Sequence, residues 1–186
     1  DKIVELNPDV LTLDVEMPRM DGVAFLRKLM PQYPIPVVMV SSLTQRGKQI
    51  TMEALDAGAV DFVAKPTSNV ASGLNSMLME LRTKVKIAST ANVAHWKGKR
   101  ITPPIQTTAT RALAESTDKV IAIGASTGGT EAIRRVIERF PATTPGVVIV
   151  QHMPPGFTKM FSDRLNQLCQ MEVREAQDGD RIRTGL

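Results

Sequence analysis

Short apolar runs alternate along this chain with stretches in which apolar residues recur every three or four positions. Residues 1–8 carry the pattern of a helix end, and Val10–Val15 form a compact buried strand. Pro18, Asp21 and Gly22 predict a turn, and residues 23–30, VAFLRKLM, predict a helix. Val37–Val40 predict a second strand, residues 51–59 a helix, and Asp61–Ala64 a third short strand. Within residues 68–83, Leu74, Met77, Leu78 and Leu81 stand at helical spacing, the mark of a core or interface face. The pattern lapses over residues 84–118, which are rich in Thr, Ala, Ser and Lys and contain Pro103-Pro104. It resumes with a strand at Val120–Gly124, a helix at Thr130–Phe140, a buried strand at Val147–Gln151 and an amphipathic helix through residues 164–171.

Strands that alternate with helices imply parallel sheets with helical crossovers. The expected fold class is therefore α/β, with two doubly wound parallel-sheet domains at residues 1–83 and 119–186 and a partly extended linker at 84–118. The 186 residues and 42% hydrophobic content suit two small globular domains. No apolar run approaches the ~20 residues of a membrane helix, and no secretory leader pattern opens the chain. The single cysteine, Cys169, excludes an internal disulfide and fits a reducing cytosol. It is expected as a small core residue of the last helix. The net charge is +4, with an excess at Arg82, Lys84, Lys86, Lys97, Lys99 and Arg100. Only Trp96 is interleaved with these cations, so a solvated linker is expected rather than a nucleic-acid surface. His95 has no catalytic partner nearby in the sequence and is expected as a surface or packing residue.

Functional groups of parallel sheets gather beyond the carboxyl ends of the strands. In the first half that edge collects Asp14, Ser41 and Lys65, a carboxylate, a hydroxyl and an ammonium. This set can accept a phosphoryl group, with the carboxylate as nucleophile and the lysine pairing with phosphate charge. In the second half, Gly124, Ser126 and Gly128 spell G-x-S-x-G between a strand and a helix, the spacing of a nucleophile elbow. The same glycine-rich turn can equally cradle a phosphate at a helix N-terminus. His152 follows the next strand directly, so neighbouring strands would bring an imidazole beside the serine hydroxyl. It lies only 26 residues after Ser126, whereas α/β-hydrolases place their histidine last, after the acid.

LDVEMPRMDG, VMVSS and AGAVDFVAKP together resemble the receiver domain of two-component response regulators. GASTGGTEA followed by QHMPPGFT resembles the catalytic domain of the CheB family of chemotaxis protein-glutamate methylesterases. The resemblance implies a flavodoxin-like receiver followed by a Rossmann-like esterase domain. It implies Asp14 as phospho-acceptor, Ser41 as switch hydroxyl, Lys65 as phosphate-pairing lysine and a cis Lys65–Pro66 bond. Mg²⁺ would bind through Asp14 and the backbone carbonyl of Glu16, with an acidic pair that this chain lacks, so weak binding and phosphorylation are expected. Ser126 would be the esterase nucleophile and His152 its base, with Thr127 and Gly128 on the turn that stabilises the oxyanion. No cofactor is implied for the esterase. The family's third triad member, an aspartate in a Gly-rich motif, has no match; Asp163, Asp178 and Asp180 read as surface positions. Both domains are therefore expected to be incomplete and the esterase impaired.

The implied activity is hydrolysis of glutamyl methyl esters, and deamidation of glutamines, on the cytoplasmic helices of chemoreceptors. A chemotaxis histidine kinase would be the phosphodonor. A cytoplasmic monomer without nucleic-acid or membrane partners is expected. Two alternatives remain at this level: a response regulator with a DNA-binding output domain, and a nucleotide-binding α/β domain. The second lacks the lysine that a P-loop requires.

Overall fold

The computed structural model describes residues 2–66, 70–98 and 119–186, and the chain divides into two compact units, Asp1–Ile101 and Thr102–Leu186. The first unit runs α1 (Lys2–Leu6), β1 (Leu11–Asp14), α2 (Gly22–Leu29), β2 (Val37–Ser41), α3 (Gln45–Asp56), β3 (Asp61–Ala64) and α4 (Val70–Ala88). Its sheet has the order β1-β2-β3, all parallel, with Asp14 opposite Val40 and Ser41 opposite Ala64. The central strand is apolar because both its faces are covered: Val37, Val38 and Met39 are fully buried, with Leu26, Met30, Phe62 and Val63 around them. Asp21 caps α2 by accepting from the Ala24 N–H at 2.7 Å, and Thr44 caps α3 by accepting from the Gly47 N–H at 3.0 Å.

Gly22 is dictated by close approach. A Cβ there would stand 2.6 Å from the Asp14 carbonyl oxygen, so only glycine lets α2 start directly against the end of β1.

Four expectations change in this unit. The helix expected at residues 51–59 starts earlier, at Gln45, where Thr44 caps it, and ends at Asp56. The last helix, expected to end at residue 83, continues to Ala88, and a 3₁₀ turn at Ala94–Trp96 follows. Trp96 is buried against Gly58, and the Gly98 N–H donates to the Pro31 carbonyl at 3.0 Å. Residues 84–98 are thus packed onto the first unit rather than forming linker; residues 99–118 lie outside the described residues. Lys84, expected among solvated linker cations, is only 5% exposed. Its ammonium donates to the Phe62 carbonyl at 2.6 Å and pairs with Asp61 at 3.2 Å and Glu80 at 3.0 Å, which compensates the desolvation of a buried charge. Finally, the Lys65–Pro66 bond is trans: no peptide bond among the described residues is cis. An X–Pro bond favours trans by about 0.5–1 kcal/mol unless its surroundings reverse the preference.

The second unit runs β4 (Val120–Ala125), α5 (Gly129–Ile137), β5 (Gly146–Gln151) and α6 (Thr158–Leu168). β4 and β5 pair in parallel, with Val120 opposite Gly146 and Ala125 opposite Gln151. The strands were expected to be buried, but their exposure alternates: Val148 and Val150 lie open on one face, Val150 at 68%. Ile137, Phe161 and Leu165 approach Val147 and Ile149 around a shared cleft on the other face. Cys169 falls just past the end of α6 in extended backbone and is half-buried. Burial, with the Glu138 charge adding to it against Arg134, pushes its thiol up to about 11, so it is a poor nucleophile. No described helix is long and apolar enough to cross a membrane.

Candidate functional sites

At the carboxyl edge of the first sheet, Asp14 ends β1 and Lys65 follows β3. The Lys65 ammonium lies 2.5 Å from Asp14 Oδ2. Both side chains are more than a third exposed, so solvent screens the pair and its worth to stability is only ~0.2–1 kcal/mol. Its significance is chemical: a cation stands beside a reachable carboxylate. Asp14 Oδ1 accepts from the Glu16 N–H at 3.0 Å.

Ser41 shares this edge, but its hydroxyl does not join the other two. It is 1% exposed and turned toward α3, within 3.2 Å of the Gly47 carbonyl and 2.5 Å of Thr51 Oγ1. A buried hydroxyl requires partners, and α3 supplies them. Thr51, which donates to Gly47 O at 2.7 Å, was not singled out from the sequence. Its sign was a hydroxyl at an inward helical position.

The described residues do not fit a divalent cation by themselves. They contain no group of three or more acidic, His or Cys side chains that could hold a metal. Asp14 and the Glu16 carbonyl make an incomplete oxygen set where Mg²⁺ demands an octahedron.

The second site lies at the carboxyl edge of β4 and β5. Ala125 and Gln151 are register partners, and the His152 N–H donates to the Ala125 carbonyl at 3.0 Å. The next residue on one strand and the start of the loop on the other are therefore neighbours. Ser126 Oγ lies 3.5 Å from His152 Nδ1, and both residues are exposed. That separation is slightly longer than a working hydrogen bond, as is common before substrate binds.

The glycines of the turn differ in purpose. Gly124 lies inside β4 with open space where a Cβ would go, so the first glycine of G-x-S-x-G is not sterically required here. Gly128 caps α5 in the left-handed region at φ +77°, and Gly129 is pressed against the neighbouring strand. A Cβ on Gly129 would collide with Gln151 Oε1 and stand 2.7 Å from the Ala125 Cβ. The first turn of α5 leaves backbone N–H groups without helical acceptors, and Thr127 and Gly128 lie directly before it.

Gln151, which no local motif marks as functional, joins the two strand ends. Its Nε2 donates to the Ser126 carbonyl at 2.9 Å and to the His152 carbonyl at 3.1 Å. Its Oε1 is buried without a hydrogen-bond partner among the described residues, an omission that ordinarily costs ~1–3 kcal/mol. The available signal was a polar residue at an inward position of an otherwise apolar strand.

No described aspartate orients His152. Asp163 pairs with Lys159 on α6 at 2.8 Å, and Asp180 pairs with Arg174 at 2.9 Å. The cleft of about 430 Å³ beside β5 is lined by Val147, Ile149, Phe161 and Leu165; Gln151 reaches it, but Ser126 and His152 do not.

Residues 1–78 match the family described as response regulator receiver domain, and residues 121–186 match CheB methylesterase. The chain is 74% identical over 187 residues to the protein-glutamate methylesterase/protein-glutamine glutaminase of Syntrophotalea carbinolica, covering 100% of this chain and 53% of that protein. Proteins of the same name from Sulfurimonas denitrificans and Salmonella typhimurium are 56% and 52% identical, covering 100% of this chain and 54% and 52% of their own lengths. The chain thus spans about half the length of the curated relatives it matches. These matches support the esterase reading and not a DNA-binding output domain.

Proposed function

We propose, because residues 1–78 match the response regulator receiver family and residues 121–186 match the CheB methylesterases, that the protein carrying this chain is a phosphorylation-regulated protein-glutamate methylesterase. Its substrates are glutamyl methyl esters on the cytoplasmic helices of methyl-accepting chemoreceptors, and it deamidates glutamines on the same helices. The observation that carries this reading is the approach of Ser126 Oγ to His152 Nδ1 at the shared end of two parallel strands.

In the reaction, Ser126 Oγ attacks the ester carbonyl while Nδ1 of His152, unprotonated, takes the hydroxyl proton. The bond from carbonyl carbon to methoxy oxygen breaks, and His152 returns the proton so that methanol leaves. Water, activated by the same nitrogen, releases glutamate from the acyl-serine. Negative charge on the carbonyl oxygen is met by backbone N–H groups of the turn through Thr127 and Gly128; one such donor is commonly worth ~3 kcal/mol. With Nδ1 accepting, the ring proton sits on Nε2, which is where an orienting acid would act.

The receiver supplies the control. A chemotaxis histidine kinase donates a phosphoryl group to Asp14, Lys65 pairs with its charge, and Ser41 turns from α3 to bond it.

A serine-directed fluorophosphonate tests the esterase assignment in this sequence carried within a chain of the relatives' length. Labelling that disappears with Ser126→Ala is expected. Nucleotide binding without labelling would contradict the reading and favour a phosphate-cradling turn.

A further inference from the structure

The geometry points to Gln151 as a positioning residue of the proposed esterase, a clasp that sets the distance between nucleophile and base. The inference rests on the Ser126–His152 reading and deepens it. The parallel ladder holds the two strands together only as far as the bond from the His152 N–H to the Ala125 carbonyl. Ser126 and its turn lie past that last rung. One side chain spans the gap among the described residues: the Gln151 carboxamide donates one N–H to the Ser126 carbonyl and the other to the His152 carbonyl. Both hydrogens of the amide are thereby used, each on the backbone of one member of the pair.

Two further observations fix the direction of this clasp. The opposite amide orientation would set Oε1 against two carbonyl oxygens, so Nε2 must face the site. Oε1 is consequently left buried without a partner, packed where a Cβ of residue 129 would lie. A glutamine chosen only to fill space would be replaced without loss by an apolar residue of its length. Here the side chain keeps an unsatisfied oxygen while its nitrogen holds two functional backbones, the pattern of a group retained for positioning.

The test uses the sequence within a chain of the relatives' length. Gln151→Met keeps the length of the side chain and removes both donors. We expect fluorophosphonate labelling of Ser126 and kcat for ester hydrolysis to fall at least tenfold together, with KM changed less than twofold and the thermal midpoint within a few degrees. In a His152→Ala background the same substitution is expected to add no further loss, because the pair it sets no longer exists. Gln151→Glu should be less active than the parent and recover relative to it as pH falls, since a protonated carboxyl again donates one hydrogen bond. Labelling of Gln151→Met at the parental rate would overturn the proposal. So would a further loss in the His152→Ala background, or unfolding of Gln151→Met together with a Gln151→Glu variant inactive at every pH. If the parent itself is not labelled, the esterase reading fails and takes the clasp with it; a labelled parent with an indifferent Gln151→Met removes the clasp alone.

Discussion

Ser126 and His152 reach each other because each is the first residue beyond a rung of the same ladder, not because they are near in sequence. What surrounds them explains which neighbours can vary. Gly124 has open space for a Cβ, so Gly124→Ala is tolerable, whereas Gly129 has none. Gly129→Ala must displace either the Gln151 amide or the Ala125 methyl. Overpacking of this kind costs about 1–3 kcal/mol, so the urea midpoint should fall and phosphonate labelling should slow, while Gly124→Ala leaves both near the parent. The serine, the histidine and the glycine-rich turn were legible in the sequence because strand ends and glycines announce themselves locally. Gln151 was not, because its meaning depends on which backbone lies across the strand pair. The inward turn of the Ser41 hydroxyl was hidden for the same reason: it depends on Thr51, ten residues on and one helix away.

Among the elements, α4 shows most clearly how tertiary contacts override composition. Its Leu and Met positions predicted a helix, but Lys84 looked like the first cation of a solvated segment. The structure instead buries it over Phe62, 5.4 Å from the ring centroid, and ties it to Asp61 at the start of β3. Removing one partner of a buried ion pair leaves the other uncompensated, a loss of about 3–5 kcal/mol. Lys84→Met should therefore unfold the first unit at markedly lower denaturant, and adding Asp61→Asn should restore much of the loss. Equal destabilisation of the single and double variants would mean that the pair does not act as a unit. Strand positions were read to within a residue or so because β-branched runs bounded by turns leave little choice. The exposed face of β5 was not, since an apolar strand reads alike whether one face or both are covered.

At the scale of the whole molecule, the proposed function makes the first unit a switch and the second its output. Asp14 is paired with Lys65 while Ser41 is held by α3, so the proposed phosphorylation of Asp14 would have to draw the Ser41 hydroxyl away from α3. A full-length chain should show ester hydrolysis that rises with a small-molecule phosphodonor and is unresponsive to it after Asp14→Asn; an equal response in both would remove Asp14 from the control. The alternation of strands and helices made both α/β units readable. Their border was not, because Trp96 packs against Gly58, a residue far from it in the sequence. The most direct test of the central claim is methanol released from a methylated chemoreceptor by the full-length protein and by its Ser126→Ala variant. Release by the parent and none above background by the variant is the predicted result. Equal release by both, or none by either from a phosphorylated chain, would contradict the assignment of Ser126 as the nucleophile of a protein-glutamate methylesterase.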